Sequence, residues 1–124
     1  PNLMPAEASK VEAFVAAIRA ARPSTPILLV ENLHYPDGIL NVNRRDRYVA
    51  SNRILRAIYE RLSRHDKNLH YLPADNFLGA DNDGTVDGSH PTDLGFARIT
   101  EVMTPAILRL LRSPLGTAHS TPTP

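Results

Sequence analysis

The apolar positions Val11, Phe14, Val15 and Ile18 recur at the spacing of one helical face inside an alanine-rich stretch. That periodicity predicts an amphipathic helix from about Pro5 to Arg22. Pro23-Ser24-Thr25-Pro26 ends the pattern, and Ile27-Leu28-Leu29-Val30 follows as an uninterrupted apolar run, as expected of a parallel strand covered on both faces. From Glu31 to Val42 no period is sustained and Pro36-Asp37-Gly38 intervenes, so this stretch reads as a loop. Asn43 is placed to cap a second helix running to about Arg64. Asp46 lies near the positive end of its dipole, and Tyr48, Leu55, Ile58, Tyr59 and Leu62 form an approximate apolar stripe.

Asn68 to Leu72 reads as a second strand. The segment from Pro73 to Pro91 is rich in Asp, Asn and Gly and has no period, and loops of that length are uncommon unless functional or disordered. Thr92 is positioned to cap a last helix bearing Leu94, Ile99, Val102, Met103, Leu108 and Leu111, with a kink expected at Pro105. Residues 113–124, rich in Pro, Thr and Ser, hold too little apolar surface to pack and read as a flexible tail behind one domain portion, residues 1–112. Helix, strand, helix, strand, helix is the order of a parallel sheet with helices on its faces. Two short strands leave one edge of Ile27–Val30 unpaired. Either strands from an N-terminal segment complete the sheet, or self-association covers the edge.

Composition narrows the function classes. A chain of 124 residues with 42% hydrophobic residues supports one core, and a formal net charge of +1 supplies no broad field for nucleic acid or an anionic membrane. Arg44, Arg45, Arg47, Arg53, Arg56, Arg61 and Arg64 interleave with Asp46, Glu60 and Asp66, which reads as a solvated helix face. With no cysteine, a disulfide framework, a thiolate metal site and a cysteine nucleophile are excluded. The apolar runs are too short to span a bilayer, so the chain is expected to be soluble, in a compartment the residues do not identify. The five histidines form no helical ligand pair, and Asp81-Asn82-Asp83-Gly84 lacks the spacing and terminal glutamate of a calcium loop, so no metal is expected. No glycine-rich phosphate loop follows either strand, and no cofactor is expected.

Ligands of open parallel sheets bind beyond the carboxyl ends of the strands, where Glu31-Asn32-Leu33-His34 and Pro73-Ala74-Asp75 begin. Glu31 and His34 are placed either to line a substrate pocket or to shape and solvate the strand end. In the second loop stands Asp87-Gly88-Ser89-His90-Pro91. An aspartate three residues before a histidine in a glycine-containing turn can direct its carboxylate to Nδ1, leaving Nε2 to take a proton from a hydroxyl nucleophile. Taken alone, the tetrad reads more readily as a turn with a surface histidine. Ser89 adjoins His90, but neighbours in a turn rarely face each other, and it reads as turn support.

The longer block from Asp83 through Phe96, Asp-Gly-Thr-Val-Asp-Gly-Ser-His-Pro-Thr-Asp-Leu-Gly-Phe, closely resembles the last block of SGNH/GDSL hydrolases, in which Asp-x-x-His-Pro precedes the terminal helix. The order of strands and helices matches that family to about Leu111. The resemblance implies a three-layer α/β/α domain with a flavodoxin-like parallel sheet, of which this chain holds the C-terminal part. It further implies serine-dependent hydrolysis of a small ester, with His90 as base and then acid, and Asp87 orienting it. Asn2, in Pro1-Asn2-Leu3-Met4, would then supply the oxyanion-binding amide; a helix cap is its other reading. The Gly-Asp-Ser block and the oxyanion glycine have no counterpart here, which places the nucleophile outside the chain. The alternative is a non-catalytic half-domain acting as an interaction or assembly fragment.

Overall fold

The computed structural model describes residues 7–112; Asn2 and the segment read as a tail lie outside the described residues. Helix α1 spans Ala8–Ala21, strand β1 Ile27–Val30, helix α2 Val42–Leu62, strand β2 Leu69–Leu72 and helix α3 Asp93–Arg112. The strands pair in parallel, Ile27 opposite Leu69 through Val30 opposite Leu72. The ladder extends one step beyond each end, with the Ile27 N–H donating to Asn68 O and the Glu31 N–H to Leu72 O. Because a parallel pair needs a crossover, α2 must run back along the sheet, and it packs on both β2 and α1.

Val15 from α1, Ile58 from α2 and Leu69 from β2 form the buried centre, joined by Ala74, Phe77 and Leu78 from the loop after β2. Phe77 and Leu78 thus anchor a loop whose polar composition conceals an apolar foot. The turn from α1 to β1 is held by Arg19, which donates to Asp66 at 2.9 Å and to the carbonyls of Arg22, Pro23 and Thr25.

Several expectations are corrected. All four β1 residues are only half-buried, because among the described residues β1 has a strand neighbour on one side alone. Phe14, on the predicted apolar face of α1, is 66% exposed for the same reason. Phe14 lines an open recess of about 610 Å³ with Val11, Val30, Leu33 and Leu55, apolar surface that these residues do not cover. The α2 cap is Asn41 rather than Asn43: Asn41 has extended backbone and accepts from the Arg44 N–H, whereas Asn43 already lies in the first turn. The Glu31–Val42 loop contains a short 3-10 helix, Pro36–Ile39, started by a proline at its first position. As expected, helix α3 carries Pro105 inside one element that runs on past Leu108 and Leu111.

Candidate functional site

The loop carrying Asp87 and His90 is closed at its base like a small hairpin. The Val86 N–H donates to His90 O at 2.9 Å and the Thr92 N–H to Gly84 O at 3.1 Å, with Thr85 and Pro91 forming an antiparallel bridge. Thr92 caps α3 as its position predicts, its hydroxyl accepting from the Gly95 N–H at 3.1 Å and donating to Asp83 O at 3.0 Å. Gly95 must lack a side chain, since a Cβ there would collide with the Gly84 carbonyl oxygen. That close approach seats the loop on the first turn of α3. Gly95→Ala is therefore expected to destabilise the protein by about 1–3 kcal/mol through overpacking; an unchanged melting temperature would show that the loop yields freely.

At the loop's tip, Asp87 Oδ1 accepts the backbone N–H of Ser89 at 3.0 Å and of His90 at 2.8 Å, while Oδ2 lies 2.7 Å from His90 Nδ1. Both contacts with His90, through its backbone and its ring, hold the Asp87 carboxyl down to about 2. An ionised carboxylate only accepts, so Nδ1 carries the hydrogen, and in the neutral ring Nε2 is the acceptor. No described residue bonds Nε2, and the His90 side chain is 80% exposed. The arrangement can take a proton from a hydroxyl brought to Nε2. Ser89 enters the turn through its backbone N–H to Asp87.

The loop is also tied sideways. Arg44, in the first turn of α2, donates from Nη1 to Asp87 O at 3.1 Å and lies 2.9 Å from Asp37 Oδ2. Gly88, with φ of +78°, lies so close to Asp37 that a Cβ would stand 2.8 Å from its Cγ. On α3, Arg98 pairs with Asp81 through both guanidinium nitrogens and donates to Leu78 O at 2.7 Å, holding the Asp81 carboxyl at about 2. Asp81 is thus committed to an arginine, and among the described residues no group of three acidic or histidine side chains is arranged to hold a metal ion.

Glu31 and His34 stand at the carboxyl end of β1, on a recess of about 530 Å³ shared with Tyr48, Asn52, Arg53, Arg56 and Asp75. The His34 ring stacks on Tyr48 with centroids 4.9 Å apart, and its nitrogens lie 3.9 Å from Glu31 and from Asp75. The Glu31 side chain is almost fully buried and accepts from the Tyr71 hydroxyl, from Arg56 at 2.9 Å and from the Ala74 N–H at 3.2 Å. Burial pushes its carboxyl up, but these three donors outweigh that and leave it below the ordinary value. Asn52 holds the same loop, its amide accepting from the Asn32 N–H and donating to Asn32 O. Among the described residues, no hydrogen bond or ion pair joins this cluster to Asp87 or His90. The arginines read as a solvated face are in part structural, since Arg44, Arg56 and Arg61 each reach an acid outside α2, Arg61 pairing with Glu12. Sequence reasoning missed the roles of Arg44 and Asp37, because nothing local signals a bond across 43 positions.

The model of the GDSL-like Lipase/Acylhydrolase family matches residues 1–108. The chain belongs to that family. A Bacteroides ovatus protein assigned to the GDSL-like lipases is 37% identical and superposes with a TM-score of 0.82 over 90% of this chain and 34% of that one. The salicylyl-acyltransferase SsfX3 of a tetracycline biosynthetic pathway, at 22% identity and a TM-score of 0.64, shares the fold over 87% of this chain and 33% of its own. The chain therefore spans about a third of the length of these two proteins, in keeping with the α/β/α architecture being present in part. No curated protein sequence matches it. Among the described residues, no helix is long and apolar enough to cross a membrane.

Proposed function

We propose that this chain supplies the base and its orienting carboxylate to a serine-dependent carboxylic ester hydrolase whose nucleophile lies in sequence outside it. The observation that carries this reading is the 2.7 Å contact of Asp87 Oδ2 with His90 Nδ1, which favours the tautomer with its hydrogen on Nδ1 and Nε2 as acceptor. A serine hydroxyl placed at Nε2 attacks the ester carbonyl as its proton passes to His90. The tetrahedral intermediate collapses as the imidazolium protonates the departing alkoxide. Water then repeats the sequence on the acyl-enzyme, releasing acid and regenerating serine. Asp87 stays ionised and stabilises the imidazolium. Asn2 is proposed as an oxyanion donor on the strength of the family resemblance.

The edge of β1 left open among the described residues and the apolar recess around Phe14 support an N-terminal portion of the same domain as the partner that completes the site. The complete catalytic domain, meaning this chain joined to the serine-bearing segment, is expected to hydrolyse a short-chain aryl ester and to be labelled at one serine by an organophosphorus reagent. A complete domain that does neither would reject the hydrolase reading. A stable homodimer of this chain without hydrolysis, in place of a complex with the N-terminal portion, would support the assembly alternative.

A further inference from the structure

We propose that Arg44, braced by Asp37, is a positioning residue for the Asp87–His90 pair; the proposal rests on the hydrolase reading above. The tip of the loop is exposed, with half of the Asp87 side chain and most of His90 open to solvent, so α3 alone does not fix its direction. Its base is held on α3 by Gly95 and Thr92, and the lateral restraint comes from the other side of the site. Arg44 Nη1 is the shared donor: it bonds the carbonyl of Asp87 itself and pairs with Asp37 Oδ2. Arg44 and Asp37 are both anchored through their backbones. The Arg44 backbone is locked into the first turn of α2 by the Asn41 side chain, and the Asp37 carbonyl accepts from the N–H groups of Leu40 and Asn41. Asp37 Oδ1 is buried with no partner among the described residues, so its carboxylate leans on Arg44 through the other oxygen. Gly88 completes the fit, because only a residue without Cβ lets the turn after Asp87 lie against Asp37 in a left-handed conformation.

The consequence is mechanical. The carbonyl that Arg44 holds and the carboxylate that meets Nδ1 belong to one residue, so loss of the clamp lets the orienting group rotate away from the ring. Positioning errors near 1 Å cost rate rather than substrate affinity. In the complete catalytic domain, Arg44→Gln is expected to lower kcat for an aryl ester by about 10- to 100-fold with KM within about twofold of wild type. The downfield proton resonance of His90 Nδ1–H, a direct report of its bond to Asp87, should broaden or vanish. Arg44→Lys should restore both, since one nitrogen makes both contacts and an ammonium donates up to three hydrogen bonds. Asp37→Asn should fall between the two.

Unchanged kcat and an unchanged resonance in Arg44→Gln would overturn the proposal. So would a loss of kcat with the resonance intact, because Arg44 would then act elsewhere than on the pair. If Arg44→Gln fails to fold, Arg44→Lys decides: retained rate and resonance support the clamp, and loss of either in a folded Arg44→Lys protein overturns it. The resonance also separates the two hypotheses, since it can depend on Arg44 even in a protein that hydrolyses no ester.

Discussion

Replacing His90 by alanine in the complete catalytic domain is expected to lower kcat for a short-chain aryl ester by about 10⁴-fold or more, with little change in melting temperature. The rate loss follows from chemistry: without Nε2 no described group stands ready to take the serine proton, and only binding and oxyanion stabilisation remain. The small cost in stability follows from geometry. His90 is 80% exposed, and the turn that carries it is held by Asp87 Oδ1 through the backbone N–H groups of residues 89 and 90, which alanine keeps. Exposed pairs of this kind contribute little to folding. Asp87→Asn separates the two roles of the carboxylate. An asparagine carbonyl can still accept from the turn, but an amide N–H facing Nδ1 would make that nitrogen the acceptor and move the ring hydrogen to Nε2. The base is then blocked with its position kept, and kcat should fall by up to about 10⁴-fold. Hydrolysis within tenfold of wild type in His90→Ala would remove His90 from the mechanism.

The parts of this site that were legible in the sequence are those whose causes are local. Asp87 and His90 are three residues apart in one turn, Thr92 caps the helix that begins beside it, and Ile27–Val30 and Leu69–Leu72 announce themselves as short apolar runs between breakers. What was not legible is what depends on distant partners. Arg44 carries the same side chain as its neighbours Arg45 and Arg47, yet it reaches a carbonyl 43 positions away. Phe77 and Leu78 are buried inside a loop whose Asp and Gly content gives no hint of it, because two adjacent apolar residues carry no period. The α2 cap lies two residues before the expected Asn43, since either asparagine can cap and only the extended backbone at Asn41 decides. The exposed face of Phe14 and the half-buried β1 show the converse case: the pattern correctly marks apolar surface, and no described residue covers it.

Glu31→Ala is expected to destabilise the complete domain by about 3 kcal/mol, an effect larger than any single surface ion pair here would give. The Glu31 side chain is only 4% exposed, and three donors from three places converge on it: the Tyr71 hydroxyl from β2, Arg56 from α2 and the Ala74 N–H from the loop leaving β2. Removing the acceptor leaves the Ala74 N–H and the tyrosine hydroxyl without their partner in a region water reaches poorly. The charge has its own signature in Glu31→Gln. Because the folded carboxyl lies below its ordinary value of 4.5, the stabilisation it adds is fully present above that value and is lost as pH falls through the lower folded one. The stability gap between wild type and Glu31→Gln in urea unfolding should therefore be widest near neutral pH and shrink on acidification below about 4.5. A gap that stays constant would mean that Glu31 contributes shape and hydrogen bonds but no net charge effect. Glu31 joins the carboxyl ends of β1 and β2, and the loop it grips at Ala74 is the one that leads to Asp87 and His90. Molecules of Glu31→Gln that remain folded should thus keep most of their kcat, since Arg44, Gly95 and Thr92 hold the far end of that loop independently.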